Sequence, residues 1–288
     1  MIVKSGAGRQ LCVEVAGDGR AGTVLVCGGT PNSRHLYRRW TEDAESRGLR
    51  LVGYDRPGYG SSTPHPGRSV ADGADEIRSI ARALDVERLA VWGFSGGGPY
   101  ALACAALLPD LVAASGVVCS IAPWGAPDLD YFTGMGEDNI EDMKLMLEDP
   151  DAARKKCARD REELLEVSAE GILKAWSSLL SPVDANALEG DFASYLATCI
   201  HDGLAPGDEG WCEDGVAHLA PWGFDLDGIQ IPVKIWHGRH DRFVPFQHGQ
   251  WLAANVSGAE AELSETDGHL TLLIDKVADI HGWLASRL

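Results

Sequence analysis

The stretch Val91-Trp92-Gly93-Phe94-Ser95-Gly96-Gly97-Gly98-Pro99 places four glycines within six residues, around one serine. Each ordered glycine costs backbone entropy, so the cluster needs a physical reason. An apolar run, Leu89–Trp92, precedes it, and a helix-prone run, Gly96–Leu108, follows. A chain that turns abruptly from strand to helix crowds its own backbone, and small residues two before and two after the turn relieve the crowding. Read that way, Gly93, Ser95 and Gly97 form G-x-S-x-G. Ser95 then stands at a helix N-terminus, where unpaired N–H groups and the dipole favour negative charge. A carbonyl under attack develops its negative charge at such a point. Pro99 suits the first helical turn, whose N–H groups have no intrahelical partner. A plain glycine-rich turn with an incidental serine has the same composition; the strand before and helix after favour the nucleophile.

The flanking chain alternates in the same way. Strand signals fall at Gln10–Val15, Thr23–Cys27, Leu49–Tyr54, Leu89–Trp92 and Leu111–Cys119, and helical signals at Ser33–Gly48, Val70–Leu84 and Gly96–Leu108. The alternation resumes with a strand at Ile231–Trp236, a helix at Pro245–Ala254, a weak strand at Ala259–Leu263 and a helix at Leu272–Arg287. Such alternation predicts an α/β fold with a mostly parallel sheet covered on both faces.

Residues 124–228 break the pattern. They are charged and poor in strand signals, with helices expected at Glu137–Leu147, Ala152–Val167 and Asp184–Cys199. They carry 24 of the 43 acidic residues but 7 of the 25 basic ones, and so nearly all of the net charge of −18. The expected organisation is a core of 1–123 and 229–288 with a helical cap of 124–228 inserted. The acidic balance repels nucleic acid and anionic lipid; it reads either as a solvated acidic face that aids solubility or, more sharply, as disfavouring anionic substrates. Seven scattered cysteines, an odd number, fit a reduced cytoplasmic protein better than a disulfide framework or zinc site. No apolar run reaches the roughly 20 residues that span a bilayer, and the first residues lack the pattern of a secretion signal.

Three loops supply the partners a nucleophilic serine needs. Asp241, in Trp236–Pro245, follows a strand, where α/β sheets build their sites; it could equally cap the next helix. His269, in Thr266-Asp267-Gly268-His269-Leu270, follows the last strand signal. His237 and His240 are alternatives, but they adjoin the acid in sequence. Val26-Cys27-Gly28-Gly29-Thr30-Pro31-Asn32 follows another strand, and the N–H groups of Thr30 and Gly96 could hold an oxyanion. The same loop also reads as ordinary turn chemistry.

These landmarks resemble the α/β-hydrolase fold superfamily, in particular serine hydrolases of the esterase kind with a helical cap. The matching residues are Gly93-Phe94-Ser95-Gly96-Gly97, the turn Tyr54–Ser62, the loop His237–Pro245 and Asp267–Leu270. The resemblance implies a Ser95–His269–Asp241 triad, in the chain order expected of this fold. One departure is Gly28-Gly29, where the family often carries His-Gly. A serine at position 95 sets the chain apart from the dehalogenase and epoxide hydrolase members, which use aspartate there.

The expected chemistry is hydrolysis of a small or medium neutral ester or lactone through an acyl-enzyme. The same triad also suits carbon–carbon bond hydrolysis, aminopeptidase or perhydrolase chemistry. A non-catalytic binding module is the alternative from another class. Phe94, Trp124, Tyr131, Trp176 and Trp222 are candidate substrate contacts, although buried aromatics more often pack cores. No metal or organic cofactor is called for. The expected partner is a small-molecule substrate, with no nucleic acid or membrane, and a homodimer is compatible with the sequence. A base at His269 predicts activity that falls on protonation near its unperturbed pKa of about 6.5.

Overall fold

A computed structural model describes residues 1–6 and 8–288. The first half lays down strands β1 (Ile2–Lys4), β2 (Gln10–Ala16), β3 (Gly22–Cys27), β4 (Leu49–Tyr54), β5 (Leu89–Phe94) and β6 (Val112–Val118). Helices α1 (Arg38–Ser46), α2 (Asp72–Ala83) and α3 (Gly98–Leu107) connect them. Between β6 and the next strand the chain is helical: α4 (Glu137–Glu148), α5 (Pro150–Glu166), α6 (Ile172–Ala175), α7 (Pro182–Ala187), α8 (Gly190–Leu204) and α9 (Glu209–Leu219). The chain closes with β7 (Val233–Gly238), α10 (Phe246–Asn255), β8 (Glu260–Ser264), α11 (His269–Asp275) and α12 (Val277–Ala285).

The eight strands form one sheet in the order β1-β2-β4-β3-β5-β6-β7-β8. β1–β2 and β2–β4 pair antiparallel, and every later pair is parallel. Strands β5 and β6 are buried along their whole length, as expected where helices cover both faces. The strand period of two sorts their side chains. Leu89 and Val91 join one core with Ile77, Ile80 and Leu102. Ala90, Trp92 and Phe94 join the other with Trp40, Leu272 and Ile280. β8 closes the sheet as a charged edge, with Glu262 paired to Lys234 and Lys276, a device that discourages further strand addition.

Three expected helices differ. The one expected over Ser33–Gly48 begins at Arg38, because the Arg34 N–H is committed to Asp55 Oδ1 at 2.6 Å. The one expected over Asp184–Cys199 is divided into α7 and α8 by extended residues and by Gly190, whose φ is +58°. The last begins at His269, three residues before Leu272, and is interrupted at Lys276. Among the described residues, no helix is long and apolar enough to cross a membrane. All seven cysteines are buried thiols without disulfides.

Candidate active site

Ser95 lies directly after β5 with φ +53°, a region that L-residues enter at a cost of order 1–3 kcal/mol unless the surroundings enforce it. The surroundings are close-packed backbone. A Cβ on Gly93 would run into the Gly97 carbonyl, and one on Gly97 into the carbonyls of Cys27 and Gly28. The glycines are therefore required by the approach of β3 and α3 to the turn.

Asp241 sits in the loop after β7 and is buried. Its Oδ1 accepts the Val244 N–H at 2.8 Å, and its Oδ2 lies 2.7 Å from His269 Nδ1. A carboxylate only accepts, so Nδ1 carries the ring proton and Nε2 keeps its lone pair. Burial by itself disfavours a charged ring, but the adjacent Asp241 carboxylate raises the His269 pKa well above 6.5. An activity limb set by His269 is therefore expected at higher pH than the unperturbed value. Phe243 stacks on the imidazole, with ring centroids 4.6 Å apart. The competing histidines do not take this place. His237 donates through Nε2 to the Val244 carbonyl at 2.8 Å, and His240 is exposed.

The histidine's turn is held by α7, a helix between β6 and β7. Buried Asp184 of α7 accepts the N–H groups of His269 at 3.0 Å, Leu270 at 2.7 Å and Thr271 at 3.3 Å. Those are the orphan donors of the first turn of α11. Sequence reasoning missed this residue, because its partners lie 85 to 87 positions away.

Ser95, His269, Gly96, Thr30 and Phe94 all line one cavity of about 510 Å³. Among the described residues, the Ser95 hydroxyl makes no hydrogen bond to His269; Cys119 Sγ stands 3.8 Å from Nε2. Catalytic hydrogen bonds are often long before substrate binds. The Thr30 amide has no backbone acceptor among the described residues, and Thr30 lines the cavity.

Of the candidate substrate contacts, Phe94 and Trp176 line the cavity. Trp124, Tyr131 and Trp222 do not. Trp124 packs edge-on against Tyr131, Tyr131 lies against His248, and Trp222 joins the core beside Phe224. Packing claims Tyr131 and Trp222, while Trp124 is exposed. The wall is instead completed by Met143, Met146, Leu179, Leu219 and Phe243. Lys156 is the one lysine among the described lining residues, which include no arginine, and it is paired with Asp142 at 2.6 Å and Asp160 at 2.5 Å.

Two groups of potential metal ligands come together among the described residues, with ligand atoms within 4.8 Å of one another: Cys119, Asp241 and His269, and Cys157, Asp208 and Cys212. In the first, the His269–Asp241 hydrogen bond already engages two of the three.

Residues 22–275 match the model of the alpha/beta hydrolase fold family. The chain belongs to that family and is an enzyme of it, a hydrolase. It is 28% identical over 262 residues to the AB hydrolase superfamily protein YisY of Bacillus subtilis, covering 90% of this chain and 88% of the relative. It is 27% identical to a 2-hydroxy-6-oxononadienedioate/2-hydroxy-6-oxononatrienedioate hydrolase of Paraburkholderia xenovorans, covering 93% of this chain and 87% of that one. A thermophilic esterase from Thermogutta terrifontis superposes with a TM-score of 0.71 at 19% identity, covering 99% of this chain and 98% of the other.

Proposed function

We propose that this hydrolase cleaves a small or medium-sized neutral ester or lactone through an acyl-enzyme on Ser95, beneath a cap formed by residues 124–228. Ser95 attacks the acyl carbonyl while His269 Nε2 takes the hydroxyl proton. Asp241 fixes the tautomer and stabilises the imidazolium. The N–H groups of Gly96 and Thr30 receive the oxyanion, and losing one such donor costs roughly 3 kcal/mol. His269 then protonates the leaving group, and water attacks the acyl-enzyme in a second round.

One observation carries the choice of substrate. The cavity above Ser95 is walled mainly by apolar side chains together with acidic ones, and its one lysine among the described residues is already neutralised by two aspartates. A buried carboxylate needs a partner charge or it costs several kcal/mol. That argues for a neutral acyl group.

The second reading is carbon–carbon bond hydrolysis, favoured by the Paraburkholderia relative, whose name describes a dioate substrate. A dioate brings two carboxylates into a cavity also lined by Asp138 and Glu163, and charge disfavours it. Purified protein assayed against neutral esters, lactones and a vinylogous dioate, with Ser95→Ala as control, tests the choice. Serine-dependent turnover of a neutral ester or lactone, at a kcat/KM above that for the dioate, is expected. Preference for the dioate overturns the reading.

A further inference from the structure

Helix α9 carries two buried polar side chains four residues apart, Asp214 and His218, and each reaches into the core sheet's active-site loops. Asp214 is fully buried and accepts from five side chains. They are Arg56, through Nη2 at 2.5 Å and Nε at 3.1 Å, Arg68 at 2.8 Å, Tyr59 at 2.9 Å, Tyr100 at 2.8 Å and Thr30 Oγ1 at 3.0 Å. Arg56 in turn donates to the Gly28 carbonyl, to the Gly29 carbonyl at 2.6 Å and to Thr30 Oγ1 at 2.9 Å. The Thr30 hydroxyl thus accepts from Arg56 and donates to Asp214, so its orientation is fixed twice. One turn along, His218 Nε2 lies 2.9 Å from the Gly96 carbonyl. A carbonyl only accepts, so His218 donates. Burial lowers its pKa to about 4, which leaves it the neutral ring that this bond needs across the neutral range.

We infer that Asp214 and His218 of α9 are positioning residues for the oxyanion hole. Each touches one of the two segments, at Thr30 and Gly96, that line the cavity beside Ser95 and whose N–H groups the acyl-transfer reading assigns to the oxyanion. The inference rests on the acyl-transfer reading above and deepens it: an inserted helix, rather than the sheet alone, sets the oxyanion geometry. A mere clasp between helix and sheet predicts loss of stability without selective loss of transition-state binding. Positioning predicts the selective loss.

The direct variant, Asp214→Asn, leaves Arg56 and Arg68 without their carboxylate and is prone to misfold. Thr30→Val is the milder test, because it removes the link to Asp214 and Arg56 while keeping the Thr30 N–H. Thr30→Ser keeps the hydroxyl. The readouts are kcat and KM on a neutral ester, and the affinity of a trifluoromethyl ketone matched to its acyl group. With that ketone Ser95 Oγ bonds to the carbonyl carbon, the serine proton passes to His269, and the former carbonyl oxygen becomes the oxyanion. Thr30→Val should lower kcat by about 10- to 100-fold with little change in KM, the range expected of sub-ångström misplacement. It should weaken the ketone in parallel, and Thr30→Ser should recover most of both. Thr30→Val with wild-type kcat and ketone affinity overturns the positioning role and leaves acyl transfer standing. A wild-type protein with no serine-dependent ester turnover and no ketone binding overturns both.

Discussion

The φ of +53° at Ser95 is where composition, conformation and chemistry meet at one residue. A side chain held there cannot relax into the helix that follows, so it projects from the turn into the cavity. The pairing of Asp241 with His269 was legible in the sequence because chain order and loop position restrict the choice. Asp241 and His269 indeed lie 2.7 Å apart. The aromatic contacts were legible only in part, since a tryptophan looks the same in sequence whether it lines a cavity or fills a core. The Asp241 carboxylate stabilises the charged ring, so the protonated form of His269, which a general base cannot use, persists above pH 6.5. The acid limb of kcat/KM should therefore lie above about 6.5, with activity still rising through neutrality. Asp241→Asn removes that stabilisation. A pH–rate profile of the variant should show the limb displaced to lower pH and the plateau reduced by up to about 10⁴-fold. A limb unmoved in Asp241→Asn assigns it to another group.

Elements were read well where periodicity is strong, as in β5, β6 and α2, and poorly where a distant partner decides the boundary. α11 starts at His269 because Asp184 caps it, and no local signal reports a carboxylate 85 residues earlier. Asp184→Ala should free three buried donors and cost about 2–4 kcal/mol in denaturant unfolding, more than an exposed cap loses. It should also lower kcat, because the histidine rides on that turn. Unchanged stability would show that the cap contributes nothing. In α2, Glu76 is buried with neither oxygen hydrogen-bonded to a described residue, and burial lifts its pKa from 4.5 to about 8. Between those values the unfolded chain is ionised while the folded chain holds a proton, so folding stability falls as pH rises from about 4.5 toward 8. Glu76→Gln removes that titration. A melting series from pH 5 to 8 should show a decline in wild type and a flatter profile in the variant, and parallel profiles would contradict the assignment.

On the scale of the whole molecule, charge is distributed unevenly along the chain. The net charge of −18 is concentrated in residues 124–228, and Asp138, Asp142, Asp160 and Glu163 of that segment reach the cavity. Among esters of equal size, one with an added carboxylate should show the higher KM. The gap should narrow as salt rises from about 0.01 to 1 M, where the screening length contracts from about 30 to 3 Å. Equal KM values at low salt would remove charge as the selector. Composition alone exposed this imbalance. The Asp214 cluster, which joins α9 to the first half of the chain across 114 to 184 positions, was invisible there, because sequence marks a buried ion pair no differently from a solvated one. The account as a whole stands on a nucleophile at residue 95. Treatment with a fluorophosphonate probe, followed by mass spectrometry of the digested protein, tests it most directly. One adduct on the peptide bearing Ser95, absent in Ser95→Ala and strongly slowed in His269→Ala, is the predicted result. An unlabelled protein, or equal labelling in Ser95→Ala, contradicts it.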